Sequence, residues 1–225
     1  MPVDVVFTPD AAAPADVAVV VDVLRATSTI AQALASGYER VLCCAEIEQA
    51  LGLRAELPDS VLGGERKAVR VEGFDVGASP REFIEPRART LILSTTNGTR
   101  AILEAAKHAE RVLLGSLLNL SAVAAAADAA NVTVVCAGFQ GTFALDDAYC
   151  AGRIVGLLPA ERTHAATAAE LLARAFPNAL DGLNARTYGP QGLEEDIAYC
   201  AQEDLLDAVP HLTGMVGTAA EIMLR

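Results

Sequence analysis

Three stretches of the chain repeat one order of apolar and polar positions. Val17-Ala18-Val19-Val20-Val21 runs into Asp22, the polar segment Arg25–Thr29, and then Ile30–Ala35 with Gly37 as a stop. Leu91-Ile92-Leu93-Ser94 runs into Thr95-Thr96-Asn97-Gly98-Thr99-Arg100 and a segment ending near His108. Val132-Thr133-Val134-Val135-Cys136 runs into Ala137–Thr142, then Leu145-Asp146-Asp147 and a further segment. Short unbroken apolar runs rich in β-branched residues predict strands buried on both faces. The segments after the loops predict helices. Repeated strand–loop–helix units predict an α/β fold, a three-layer α/β/α sandwich around a mostly parallel, or mixed, central sheet. All three loops are then expected at one edge of the sheet, where ligands bind in open α/β folds.

The remaining pattern fills in around these units. Arg40–Cys44 and Arg111–Gly115 read as strands, and Ser60-Val61-Leu62 as a strand leading into Gly63-Gly64-Glu65-Arg66. Ser79-Pro80-Arg81-Glu82 combines a Ser cap, Pro at the first helical position and Glu in capping-box position. Leu120–Ala130 and Thr163–Phe176 read as helices. A Pro-, Asn- and Gly-rich loop spans 177–192, and Glu194–Leu206 reads as an acidic helix. No linker divides the chain, so residues 1–225 are expected to form one domain. Residues 160–225 would pack on the sheet or cap it.

Composition narrows the function. Hydrophobic residues make up 52% with no Trp, so the core is aliphatic and Ala-rich. No apolar stretch approaches the roughly 20 residues of a spanning helix, and the N-terminus lacks the features of a signal peptide. The expectation is a cytoplasmic protein with no membrane association. Cys43, Cys44, Cys136, Cys150 and Cys200 form no Cys-x-x-Cys pair and are read as buried thiols. His108, His164 and His211 have no metal-binding spacing. The net charge of −12 argues against nucleic acid as a partner. An anionic small substrate would need local arginines, helix N-termini or a divalent cation.

The loops offer such chemistry. The first supplies Asp22, Arg25, Thr27 and Ser28; alternatively Asp22 only caps the helix and pairs with Arg25. In the second, Asn97-Gly98 permits a left-handed backbone that aims N–H groups at one point, Thr96 and Thr99 add donors, and Arg100 can grip an oxyanion. A plain capped turn is the alternative. In the third, Asp146 and Asp147 either complement the helix dipole or join Asp22 in a hard oxygen site for Mg²⁺. Glu65 is a further metal candidate beside Arg66, whereas Asp75 is equally well structural. Glu194-Glu195-Asp196, Asp128, Glu170 and Glu221 read as solvated.

Together these motifs resemble the 2-phosphosulfolactate phosphatase family. The resemblance rests on Val21–Thr29, Gly64-Glu65-Arg66, Gly73–Pro80, Thr95–Arg100, Gly115–Asn119 and Cys136-Ala137-Gly138 through Asp146-Asp147 and Cys150-Ala151-Gly152. It implies Mg²⁺-dependent hydrolysis of the phosphomonoester of a small 2-hydroxy acid, (2R)-2-phospho-3-sulfolactate in coenzyme M biosynthesis or a related 2-phospho-hydroxycarboxylate. On that reading Asp22, Glu65, Asp146 and Asp147 hold Mg²⁺ in whole or part. Asp22, Arg25 and Arg100 are catalytic, and Arg66, Thr27, Ser28, Thr96, Asn97, Gly98 and Thr99 bind substrate. The attacking group is water or Asp22. The Asp-x-Asp nucleophile motif of haloacid-dehalogenase phosphatases is broken by Leu24. A homodimer is expected, paired through an Ala- and Leu-rich helix such as Leu120–Ala130. Two other readings stay open: a non-catalytic module that binds an anionic metabolite, and a mutase.

Overall fold

The computed structural model describes residues 2–186 and 193–224. The three expected strands are β2 (Ala15–Val21), β6 (Thr90–Ser94) and β8 (Val132–Cys136), each followed by a helix: α1 (Ala26–Ala35), α3 (Gly98–Ala105) and α5 (Leu145–Leu157). β1 (Asp4–Val6), β3 (Arg40–Cys43), β4 (Ser60–Arg66), β5 (Val69–Arg70) and β7 (Ala109–Gly115) complete the parallel framework and its edges, and α2 (Ile47–Glu56) links β3 to β4. α4 (Leu120–Ala126) is shorter than expected. Its Leu120, Val123 and Ala124 are buried in the chain's own core, while Ser121 and Ala125 stay exposed. Thr163 caps α6 (His164–Arg174), accepting from the Ala166 N–H. α7 (Ala179–Asn184) occupies part of the expected loop, whose residues 187–192 lie outside the described residues. α8 (Glu194–Cys200) is the acidic helix, ending six residues earlier than expected. The Ser79–Glu82 capping box is present and starts a 3₁₀ turn, Pro80–Phe83.

The end of the chain departs most from expectation. β9 (Pro210–Val216) and β10 (Ala219–Leu224) form a hairpin in the middle of the sheet, whose order is β1-β8-β2-β7-β9-β10-β3-β6-β4-β5. β1, β8, β2 and β7 are mutually parallel, as are β3, β6 and β4. Every pairing across the hairpin is antiparallel, so the two groups run in opposite senses. The expected shared edge therefore holds for β2 and β8 but not for β6.

Side-chain alternation along β2 shows how the halves join. Val17, Val19 and Val21 enter a core with α4–α8, whereas Ala18 and Val20 enter a second core. That second core also takes Val41 and Cys43 from β3, Leu91 and Leu93 from β6, and the inner faces of α1 and α3. α3 leaves β6 yet rests on β2, β7, β8 and β10. Its N-terminus is thereby delivered to the end of β2. α2 covers the outer face of β3, β6 and β4. The result is a mixed α/β fold with helices on both sheet faces. All five cysteines are free and buried.

Candidate active site

Asp22 follows the last residue of β2, and hydroxyls build the turn around it. Thr27 Oγ1 accepts from the Asp22 N–H at 3.1 Å and donates to the Asp22 carbonyl at 2.9 Å. Ser28 Oγ donates to the Val23 carbonyl at 2.8 Å. Both side chains are fully buried, and α1 already begins at Ala26. Thr27 and Ser28 thus lie inside the first helical turn rather than in an open loop. Their hydroxyls serve the turn, not the ligand face expected for them.

The Asp22 carboxylate accepts from the Ala26 N–H at 3.3 Å. α3 meets it from the other half of the sheet. A Cβ on Gly98 would overlap the Ala26 methyl and stand 2.7 Å from Asp22 Oδ2. Asn97 has φ −109° and ψ −50°, an ordinary right-handed conformation. The Asn-Gly pair therefore provides close approach, not the left-handed turn expected from the sequence. Asn97 and Gly98 present the open N-terminus of α3, while Thr99 and Thr95 cap each other, the Thr99 N–H donating to Thr95 Oγ1 at 3.2 Å.

Two further acids arrive from β4 and α5. Glu65 accepts from the Thr96 N–H at 2.8 Å and the Ala68 N–H at 2.6 Å, joining the β4–β5 turn to the loop after β6. Gly63 and Gly64 lie within β4, where any side chain on Gly64 would overlap the Ser94 carbonyl of β6. Asp146 and Asp147 open α5. Both Asp147 oxygens are engaged, accepting from the Val23 N–H at 2.9 Å and the Gly138 N–H at 3.0 Å. Asp147 thus ties the loop after β2 to the loop after β8.

These elements enclose a cavity of about 340 Å³, lined among others by Asp22, Arg25, Glu65, Lys67, Thr96, Asn97 and Asp146. Burial pushes the Asp22 carboxyl up to about 7, against the Ala26 hydrogen bond; the charges of Glu65 and Asp146 add to the rise and Arg25 opposes it. Burial, then Asp146 and Asp22, hold Asp147 well above the usual carboxylate range despite its two N–H donors. Among the described residues no group of three or more His, Cys, Asp or Glu side chains is arranged to hold a metal ion. The donors that face the cavity are nevertheless all hard oxygens, and mutual repulsion raises Asp22. Both features fit a hard divalent cation of the Mg²⁺ type.

The arginines divide. Arg25 lines the cavity and is anchored from behind, 2.6 Å from Asp196 Oδ2 and 3.2 Å from the Ala68 carbonyl. Arg66 donates to the Ala45, Glu65 and Ser94 carbonyls and to Ser94 Oγ, which makes it a brace for β4 and β6. Arg100 does not line the cavity; its exposed guanidinium stands 3.6 Å from Asp10 in a neighbouring groove. Asp196, read as solvated, is buried and also accepts from Ser79 Oγ at 2.5 Å. Glu170, read as surface, is buried between Arg162 and Arg174. Asp75 is structural, accepting from the Leu62 N–H at 2.9 Å. Lys67, Phe139, Gln140, Arg186 and Leu193 line the cavity without having been singled out from sequence. Lys67 had a usable signal in its place directly after Glu65-Arg66, and Phe139 and Gln140 had one in their place within the third loop.

Comparison with known proteins places the chain in a family. The family model described as 2-phosphosulpholactate phosphatase matches residues 6–215. The chain belongs to the 2-phosphosulfolactate phosphatase family. Relatives named "Probable 2-phosphosulfolactate phosphatase" include one from Clostridium acetobutylicum, 39% identical over 87% of this chain and 89% of its own. Another, from Thermus thermophilus, is 40% identical over 91% of both chains. A third, from Gloeobacter violaceus, is 41% identical over 88% of this chain and 89% of its own. The family is one of phosphoric monoester hydrolases. Among the described residues no helix is long and apolar enough to cross a membrane.

Proposed function

We propose that this chain hydrolyses the phosphomonoester of a small 2-hydroxy acid, converting (2R)-2-phospho-3-sulfolactate to 3-sulfolactate and phosphate. The observation that carries the reading is the meeting of Asp22, Arg25 and the N-terminus of α3 in one cavity, drawn from both halves of the sheet. Arg25 and the N–H groups of Asn97 and Gly98 hold the phosphoryl oxygens and favour the charge that grows on them during transfer. Asp196 holds Arg25 in place.

Asp22, Asp146 and Glu65 would hold Mg²⁺, and Asp147 keeps their loops in register. When bound, the cation offsets negative charge on the phosphoryl group. Water is the attacking group in this reading, since Leu24 stands where an Asp-x-Asp pair would place its second acid. The acids also speak against a pure anion-binding module, which gains nothing from three carboxylates beside its ligand.

Phosphate release from 2-phosphosulfolactate and 2-phospholactate, with Mg²⁺ and with a chelator, tests the proposal. Release from either ester that requires Mg²⁺ supports it. Tight binding of both esters without release would leave the binding module standing.

A further inference from the structure

We propose that Lys67 is the specificity-determining residue that captures the substrate's second acidic group, the carboxylate or sulfonate beside the phosphate ester. The inference rests on the function proposed above and names a determinant within the same site.

The cations lining the cavity are Arg25, Lys67 and Arg186, and Arg186 already has a partner. Asp22, Glu65 and Asp146 supply negative charge. Arg25 is anchored by Asp196 and the Ala68 carbonyl and, on the function proposed above, is taken up by the phosphoryl group. Arg66 is committed to three carbonyls and a hydroxyl. Among the described residues no ion pair or side-chain hydrogen bond engages the Lys67 ammonium. A substrate carrying a phosphate and one or two further acids brings more negative charge than the phosphate clamp neutralises. An uncommitted cation is needed beside the clamp, not within it.

Backbone geometry fixes where that cation stands. Lys67 and Ala68 form the β4–β5 turn with φ of 54° and 61°. A left-handed turn favours Gly or Asn, so a lysine there keeps its long side chain against local preference. Glu65 bolts the turn to the loop after β6 through the Ala68 and Thr96 N–H groups. Lys67 accordingly lines both the 340 Å³ cavity and the adjoining 510 Å³ groove that holds Arg66 and Arg100. Only one other lysine, Lys107, occurs in the chain. A compact charge on a four-carbon stem can reach an acid at either position on a short substrate, which a planar guanidinium fixed in a fork cannot.

Lys67→Met and Lys67→Gln remove the charge while keeping an unbranched side chain. Turnover is measured on 2-phosphosulfolactate, on 2-phospholactate, which lacks the sulfonate, and on isopropyl phosphate, which lacks both acids. Calorimetry of 3-sulfolactate binding gives a readout independent of turnover. The expected result is a loss of about tenfold or more in kcat/KM on 2-phosphosulfolactate, through KM, with under threefold change on isopropyl phosphate and weaker 3-sulfolactate binding. Lys67→Arg recovers part of the loss. A loss on 2-phospholactate equal to that on 2-phosphosulfolactate assigns Lys67 to the carboxylate; an intact 2-phospholactate rate assigns it to the sulfonate. Equal losses on all three esters, or none, would overturn the inference. A wild-type chain inactive on every ester would instead refute the proposed function.

Discussion

Replacing Asp22 with Asn should make the metal-free chain more stable at alkaline pH while removing its activity. Asn keeps the size of the side chain and an oxygen for the Ala26 N–H, 3.3 Å from Asp22 in the structure. It removes a charge that burial and two neighbouring acids disfavour. The Asp22 carboxyl is raised from 3.8 to about 7. Below pH 3.8 it is neutral in both folded and unfolded chains and carries no penalty. As pH rises toward 7 the unfolded chain releases its proton first, and stability is lost until the folded carboxyl also ionises. At about 1.36 kcal/mol per pH unit, the interval corresponds to about 4 kcal/mol as an upper figure. Asp22→Asn escapes that loss. Urea unfolding in chelator at pH 4.5 and pH 8 measures it. The variant's advantage should be small at pH 4.5 and several-fold larger at pH 8. An advantage independent of pH, or a less stable variant at pH 8, would refute the electrostatic reasoning. Adding Mg²⁺ at pH 8 should raise the wild-type midpoint and leave the variant's unchanged.

Gly98→Ala should drive the N-terminus of α3 away from Asp22, costing about 1–3 kcal/mol of stability and about 100-fold in phosphate release; melting and turnover assays check both. Thr27→Val strips both bonds from the Asp22 backbone and should lower stability by about 1–3 kcal/mol while leaving KM close to wild type, as read by denaturant unfolding and steady-state kinetics. A chain stopped at Val209 loses β9 and β10, leaving β7 and β3 as unpaired edges in the middle of the sheet; it should show no cooperative melt and should aggregate.

The strand–loop–helix units were legible because β2, β6 and β8 are buried on both faces and so read as unbroken apolar runs. The C-terminal hairpin was not. Ala219–Leu224 contains good helix formers, Ala, Glu, Met and Leu, and becomes a strand only through its neighbours β3 and β9. Glu221 is held in the sheet by Arg40, a partner 181 positions away, and nothing local announces it. In the site, Asp22, Asn97 and Asp146 were found from loop grammar, and the structure gathers them in one cavity. Their convergence follows from α3 crossing between the halves, not from a single parallel edge. Asp196 was missed because an acidic run at a helix start usually faces solvent. Thr27, Ser28 and Arg66 were assigned to a ligand because donor chemistry is visible in sequence, whereas the backbone groups that engage those donors are not.

The most direct test is a crystal structure of the chain with Mg²⁺ and 3-sulfolactate plus phosphate. The cation should lie beside Asp22 and Asp146, with phosphate against Arg25 and the Asn97 and Gly98 amides. Phosphate seated instead in the groove beside Arg100 and Asp10, with Asp22 facing no ligand, would rule this site out.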